Sequence, residues 1–309
     1  MGWFEMILAA ASSGGVSLPG TTTIRAKMNG SGTFGGQSWV ADTTYRTGTV
    51  SNTFNTSFPV VLDTNVPTFY NTGVFVTSCS WTFPVAAGLY DVYLYLIDSN
   101  STVGPATTTA YNISLNGTSV DSNLVLKQFL FEPVTLRKKY TVDVTGSSIV
   151  LNLSRALTFD LGISGVEIVP AGTAPTIGVT DTTPFAAPAI NGTNTKDKVF
   201  DGNNSTEYIS AGQPNIGAAL GYDLGSSRTV ATINFTPSPS SPARSNGAKF
   251  YGSNTKYTGY TLLYTIPAGQ ATVGAKTAAI PSDKQGPWRY IVFEAPANTY
   301  CNFAELSVP

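Results

Sequence analysis

Asp201, Asn203 and Thr206 lie within six residues on the turn Val199-Phe-Asp201-Gly-Asn203-Asn-Ser-Thr206. Side-chain oxygens of these types, with neighbouring backbone carbonyls, are the hard donors calcium takes, roughly six to eight at about 2.3–2.6 Å. The same loop can instead close through Asx-turn hydrogen bonds with no ion. Other chemistries are closed by composition. The chain has no histidine, so neither a Ser-His-Asp nor a Cys-His system can be assembled, nor an imidazole-based zinc or iron site. Twelve Asp and six Glu leave paired-carboxylate hydrolysis open. Seventeen basic against 18 acidic side chains, a net charge of −1, give no electrostatic footprint for a nucleic-acid backbone. No apolar run approaches the length of a membrane span, about 18 residues or more. Cys79 and Cys301 are 222 positions apart and are not expected to pair.

The elements that must position such residues are strands. Only 11% of the 309 residues are charged, less than half of the roughly 25% usual in soluble domains. Ser, Thr and Asn replace them, and these favour strands and turns over helix interiors, while 30 Gly and 19 Pro supply turns. Tyr90-Asp-Val-Tyr-Leu-Tyr-Leu-Ile97, Ala110-Tyr-Asn-Ile-Ser-Leu115 and Ser148-Ile-Val-Leu-Asn-Leu153 alternate with period two and predict half-buried strands. Ala87-Gly88, Asn116-Gly117 and Thr145-Gly146 mark turns between them. No stretch holds a helical apolar period. The pattern predicts an all-β chain of two tandem β-sandwiches, split at the small, Pro/Gly-rich connector Pro170-Ala-Gly-Thr-Ala-Pro175. Expected bounds are 1–20 for an N-terminal arm, 21–171 and 177–309 for the sandwiches, and 172–176 for the linker. The arm is apolar, carries only Glu5 as a charge, and lacks the basic residues of a secretory signal. Trp3, Phe4, Met6, Ile7 and Leu8 are expected to dock into a partner, because each large apolar side chain left in water costs roughly 1.5–3 kcal/mol. A Gly/Ser hinge to Gly20 follows.

Five patterns of the first sandwich fall in the order of the malectin-like carbohydrate-binding domains, which this half resembles. They are Ile24-Arg-Ala-Lys-Met-Asn-Gly30, Trp39-Val-Ala-Asp42-Thr-Thr-Tyr45, Phe83-Pro-Val-Ala-Ala-Gly88-Leu-Tyr90, Tyr111-Asn-Ile-Ser-Leu-Asn116-Gly117 and Ile163-Ser-Gly165-Val-Glu167-Ile168. The resemblance implies sugar binding by loop aromatics and a carboxylate at one end, through stacking and bidentate hydrogen bonds. Expected there are Tyr45, Phe69, Tyr70, Asp98 and Asp160.

The second half closely resembles the discoidin domains, a galactose-binding-like jelly-roll sandwich. It does so through the Asp201 loop ending in Tyr208, Gly221-Tyr-Asp-Leu224-Gly225, Ile233-Asn-Phe235-Thr-Pro237, Gly252-Ser-Asn254, Trp288-Arg-Tyr-Ile291 and Ala304-Glu305-Leu306. Tyr208 stands where that family usually has tryptophan. The resemblance implies a structural calcium held by Asp201, Asn203, Thr206 and Glu305, a staple between the domain's ends. It also implies ligand loops, in which Arg244, Asn246, Tyr257 and Tyr260 fall. Arg289 is expected to brace the core or pair with Asp223. The expectation is a non-catalytic binding protein. The low charge and the apolar arm resemble phage virion proteins, so the setting expected is a virion surface. There the arm would dock to other virion proteins, the chain would form a homo-oligomer, and the sandwiches would touch host glycans without membrane insertion or nucleic acid. A purely structural particle protein, or a bacterial glycan-binding adhesin outside the cell or on its surface, are the alternatives.

Overall fold

The computed structural model describes residues 18–55, 67–98, 110–126, 128–129, 134–157, 161–177, 185–187, 189–211 and 218–309. Within them the chain is all-β apart from a helical turn at Pro67–Tyr70 and short 3-10 turns. The expected arm residues Trp3, Phe4, Met6, Ile7 and Leu8, and Asp160, lie outside the described residues.

The first sandwich has β1 (Ile24–Lys27), β2 (Gly32–Phe34), β3 (Gln37–Ala41), β4 (Asn52–Asn55), β5 (Thr72–Val76) and β6 (Ser78–Pro84). It continues with β7 (Gly88–Asp98), β8 (Tyr111–Leu115), β9 (Thr118–Leu124), β10 (Val134–Val144), β11 (Ser148–Arg155) and β12 (Leu161–Pro170). An eight-stranded sheet runs β10-β7-β12-β1-β3-β2, with β5 beside β12 and β4 beside β5; it faces a four-stranded sheet β6-β11-β8-β9. Trp81, Phe83, Leu94, Leu96, Leu151, Ile163 and Val166 fill the space between. The period-two strands at β8 and β11 alternate buried and half-buried as expected.

The strand β7 does not alternate. From Tyr90 to Asp98 every residue is buried, because its sheet is covered on both faces. Tyr90, Val92, Leu94 and Leu96 face the sandwich core, while Tyr93, Tyr95 and Ile97 join Trp39, Phe54, Phe69, Tyr70 and Ile177 in a second cluster. Apolar alternation with tyrosine looks amphipathic in sequence, but a tyrosine ring carries enough apolar area to be buried once its hydroxyl has a partner. Tyr95 Oη donates to Glu167 Oε2 at 2.6 Å, and Tyr93 Oη to Thr173 O at 3.1 Å.

The second sandwich has β13 (Phe185–Ala186), β14 (Tyr208–Ile209), β15 (Ala219–Arg228), β16 (Thr232–Pro237), β17 (Lys249–Ser253), β18 (Thr261–Thr265), β19 (Lys276–Ala279), β20 (Trp288–Glu294) and β21 (Asn302–Ser307). Its sheets run β13-β15-β20-β17-β18 and β14-β21-β16-β19. Phe235, Phe250, Phe293 and Phe303 meet between them, the last two with ring centroids 4.1 Å apart. Tyr208 is fully buried and donates its hydroxyl to Ala187 O at 2.6 Å, so it fills the core with its polar tip satisfied.

Two expectations about connections need correction. The stretch Leu18–Gly20, taken as the end of a hinge, is fixed on β7: Gly20 N donates to Leu89 O and Leu89 N to Leu18 O, both at 2.7 Å. A Cβ on Gly20 would fall 1.9 Å from the Tyr90 ring, so only glycine fits. The connector after β12 is strapped to the first sandwich. Glu167, fully buried, accepts from Thr176 N at 2.8 Å and from Arg25 Nε at 2.8 Å, and Arg137 donates to Ile177 O at 2.8 Å. Ile177, assigned by sequence to the second unit, is therefore core of the first. Both cysteines are free and buried.

Candidate functional site

The Asp201 loop is built by two distant segments. A 3-10 turn at Lys196–Phe200 delivers Asp201, and Gly202 at φ 74° turns the chain sharply, a conformation that favours glycine. Glu305 arrives from β21. The Asn203 N–H donates to Asp201 Oδ1 at 3.0 Å and to Glu305 Oε1 at 2.8 Å, so two carboxylates far apart in sequence share one donor. The Thr206 hydroxyl lies 3.0 and 2.9 Å from the two Asp201 oxygens and 2.9 Å from Asn203 O. Lys198 Nζ is 3.5 Å from Asp201 Oδ2. Burial opposes ionisation of Asp201, but the Thr206 hydroxyl and Asn203 N–H outweigh it and hold the carboxyl below the usual range. Burial, and behind it the Asp201 carboxylate, push Glu305 above its usual range. The carboxylates of Asp201 and Glu305 and the Thr206 hydroxyl thus meet around the Asn203 backbone, while the Asn203 amide oxygen accepts from Ser205 N at 3.0 Å. Their carboxylate, amide and hydroxyl oxygens are of the hard kind calcium takes. Among the described residues no group of three or more His, Cys, Asp or Glu side chains gathers, so amide, hydroxyl and backbone oxygens have to complete such a set.

A second arrangement occupies the end of the sheet β14-β21-β16. Glu207 precedes β14, and the loop Ser238–Ser241 follows β16, with β21 between the two strands. Ser238 Oγ donates to Glu207 Oε2 and Ser240 Oγ to Oε1 at 2.8 Å, so the glutamate reaches across the end of β21. Asn302, the first residue of β21 and opposite Ile209, is 1% exposed, and among the described residues neither its amide oxygen nor its nitrogen has a hydrogen-bond partner. The 3-10 turn Pro242–Ser245 carries Arg244, whose guanidinium lies 4.8 Å from the centroid of the Tyr300 ring. Both residues are half-buried. Among the described residues the guanidinium has no hydrogen-bond acceptor. It presents several N–H donors in one plane, lying over an aromatic ring.

Of the other expected ligand residues, most serve the fold. Phe69 and Tyr70 are 0% and 1% exposed and pack with Trp39 and Tyr95, because the helical turn closes over the outer face of the large sheet. Tyr45 is half-buried against Phe83, ring centroids 5.0 Å apart. Asp98 ends β7 buried, opposite Val134. Asn246 Oδ1 accepts from Ala271 N at 2.9 Å and so ties down a loop. Tyr257 and Tyr260 are joint residues between the sandwiches. Phe129 of the first stacks on Tyr260 with centroids 5.0 Å apart, Gln128 N donates to Tyr257 O at 2.7 Å, and Tyr257 meets Phe185 edge-on. Arg289 does pair with Asp223, Nε to Oδ1 at 3.0 Å and Nη2 to Oδ2 at 2.9 Å.

Sequence reading missed Tyr300, Glu207, Ser238, Ser240 and Asn302. A signal existed for the loop: Pro237-Ser-Pro-Ser-Ser-Pro242 marks an irregular connection beside Arg244. No signal showed that β21 would bring Tyr300 beneath that arginine.

No family model matches the chain, and no curated protein matches it. Solved structures of carbohydrate-binding modules do. The chain is similar to the module CBM62 of Clostridium thermocellum Xyl5A, 26% identical, over 41% of this chain and 92% of that one, with a TM-score of 0.37. It is similar to chitosan-binding module 1 from a chitosanase/glucanase of Paenibacillus sp. IK-5, 20% identical over 41% and 93%, TM-score 0.35. It is also similar to the family 32 module of C. perfringens NanJ, solved with galactose, 22% identical over 41% and 91%, TM-score 0.35.

Proposed function

We propose that this protein is a non-catalytic glycan-binding protein whose sugar contact is the Arg244–Tyr300 end of the second sandwich. The observation that carries the proposal is a half-buried guanidinium fixed over an aromatic ring with no acceptor among the described residues. Sugar hydroxyls are acceptors of the right kind for such a fork of donors, and an aromatic ring face suits a sugar's C–H face. Hydrolytic roles find no support beside it: Glu207 is engaged by two serine hydroxyls. A calcium ion at Asp201, Asn203, Thr206 and Glu305 belongs to the same proposal as a structural staple, supported by the meeting of the two carboxylates and the Thr206 hydroxyl at the Asn203 backbone. It takes no part in chemistry.

A glycan array probed with the full chain and with Arg244→Ala tests this. At least one class of neutral saccharide should be retained by the native chain and lost, by roughly tenfold or more in affinity, in the variant. No retained glycan, or equal retention by both proteins, contradicts it.

The setting proposed for this activity is display on a particle, where many copies turn weak sites into avidity. Support comes from the apolar residues Trp3, Phe4, Ile7 and Leu8. Removing residues 1–15 should free the protein from phage particles of its host while leaving glycan binding intact; unchanged incorporation would refute the docking role.

A further inference from the structure

Both oxygens of one carboxylate and two hydroxyl oxygens gather where Glu207 crosses β21. The Glu207 carboxylate accepts from Ser238 Oγ and from Ser240 Oγ, the latter at 2.8 Å. The two hydroxyl oxygens are 3.1 Å apart, and Ser241 N donates to Ser238 Oγ at 3.1 Å. Ser238 is fully buried and Glu207 half-buried. Among the described residues Glu207 makes no ion pair, so its charge is softened by hydroxyl dipoles and balanced by nothing. Residues 212–217, which lead from Ala211 towards β15, carry no charge either. Carboxylates withdrawn from water are ordinarily paired or bound to a cation.

The unpartnered amide of Asn302 is an independent sign of a guest at the same place. Cys301 and Phe303, on either side of it, belong to the core, so alternation along the strand turns Asn302 to the other face. Ile209, its partner across the ladder, lies on that face, and Tyr208 before it is core. Glu207, one residue earlier still, is therefore on the Asn302 side, and its bridge to the serines runs over that face. A fully buried polar side chain with no partner points to a missing water or ion. A water would satisfy the amide and leave the carboxylate charge unbalanced. A cation answers both. It takes the carboxylate, Asn302 Oδ1 and the spare lone pairs of the two hydroxyls, each of which can donate to Glu207 and still accept. A water of the ion's shell is left for Asn302 Nδ2.

We infer that Glu207, Ser238, Ser240 and Asn302 form a site for a monovalent cation, sodium in chemical class. Ligand charge decides against a divalent ion: calcium affinity rises with the number of charged ligands, and this set has one carboxylate where the Asp201 loop brings two. The bound ion ties β14 to the loop after β16 across the end of β21. That loop runs directly into the turn Pro242–Ser245, which carries Arg244, so occupancy also fixes the base from which the guanidinium projects. The site stands whether or not Arg244 meets a sugar.

Thermal unfolding of the full chain tests the inference, with sodium chloride exchanged for N-methylglucamine chloride at constant ionic strength and a chelator present throughout. Sodium should raise the Tm by roughly 2–4 °C, saturating as its concentration rises. The organic cation is too large to enter and should not. Glu207→Gln keeps the shape of the ligand without its charge and should lose the shift. Ser240 is exposed, so Ser240→Ala decides the matter if Glu207→Gln does not fold, and it too should lose most of the shift. Glu305→Gln, at the other loop, should keep it. Equal Tm values in the two salts, or a shift that survives in Glu207→Gln, overturn the inference. Loss of the shift in Glu305→Gln alone assigns the ion to the Asp201 loop and overturns it as well. Crystals soaked in thallium(I), a heavy monovalent stand-in, should show an anomalous peak between Glu207 and Asn302; a peak only elsewhere contradicts the assignment.

Discussion

Lys27 shows how a single side chain can tie stability to pH. It is 1% exposed, its ammonium donates to Met28 O at 3.0 Å and Thr72 O at 2.5 Å, and it lies 5.0 Å from the Phe69 ring centroid. Burial lowers its pKa to about 7 against the partial opposition of Asp42. The unfolded chain keeps an ordinary lysine, so between about pH 7 and 10.4 the unfolded state holds the extra proton. Stability from this residue is therefore greatest above that window and is lost progressively across it as pH falls to about 7. Lys27→Met should remove a slope of up to about 1.4 kcal/mol per pH unit. Denaturant titrations at several pH values should show the native chain gaining on the variant as pH rises; parallel curves would contradict it. The same scale shows what single residues disclosed in sequence. The turn at Asp201, Asn203 and Thr206 was legible because an Asx turn is local: the Asn203 N–H and the Thr206 hydroxyl both meet the Asp201 carboxylate. Phe69 and Tyr70 were not, because an aromatic pair in a loop looks the same whether it meets a sugar or roofs a sheet. Arg244 was legible as a loop residue, but its ring partner Tyr300 lay beyond any local pattern.

Elements explain both the strength and the limits of the sequence pattern. Alternation at β8 and β11 was read correctly because one face of their sheet is half-exposed. At β7 the same alternation meant burial on two faces, and the cover comes from the Pro67–Tyr70 turn and the strapped connector, remote in sequence. The staple between the Asp201 loop and β21 is likewise a contact between elements. Without an ion, two carboxylates share the Asn203 N–H, and Glu305 titrates above its usual range. An ion that binds only the folded state at a hundredfold excess over its Kd adds about 2.7 kcal/mol. Millimolar calcium should therefore raise the Tm of the native chain by several degrees, and a chelator should reverse it. Glu305→Gln should fold and lose that response, since it keeps the shape of the ligand but not its charge. Identical calcium responses from native chain and variant would remove the ion from the account.

At the level of the whole molecule, the two sandwiches are joined through side chains that a reading of loops assigns elsewhere. Tyr257 and Tyr260 sit in a connector of the kind that carries ligand residues, yet Gln128 and Phe129 occupy them. Nothing local in either segment announces its partner, 130 or so positions away, whereas the all-β class and the two-sandwich plan follow from composition and turn spacing along the entire chain. The joint leaves the Arg244–Tyr300 pair at the end of another sheet, β14-β21-β16, and that pair is where the account places sugar binding. The most direct measurement is a crystal structure of the full chain soaked with the saccharide that binds best on the array. The account predicts density against Tyr300 with sugar hydroxyls in hydrogen-bond reach of the Arg244 guanidinium. Density elsewhere on the molecule, with that end empty, would contradict it.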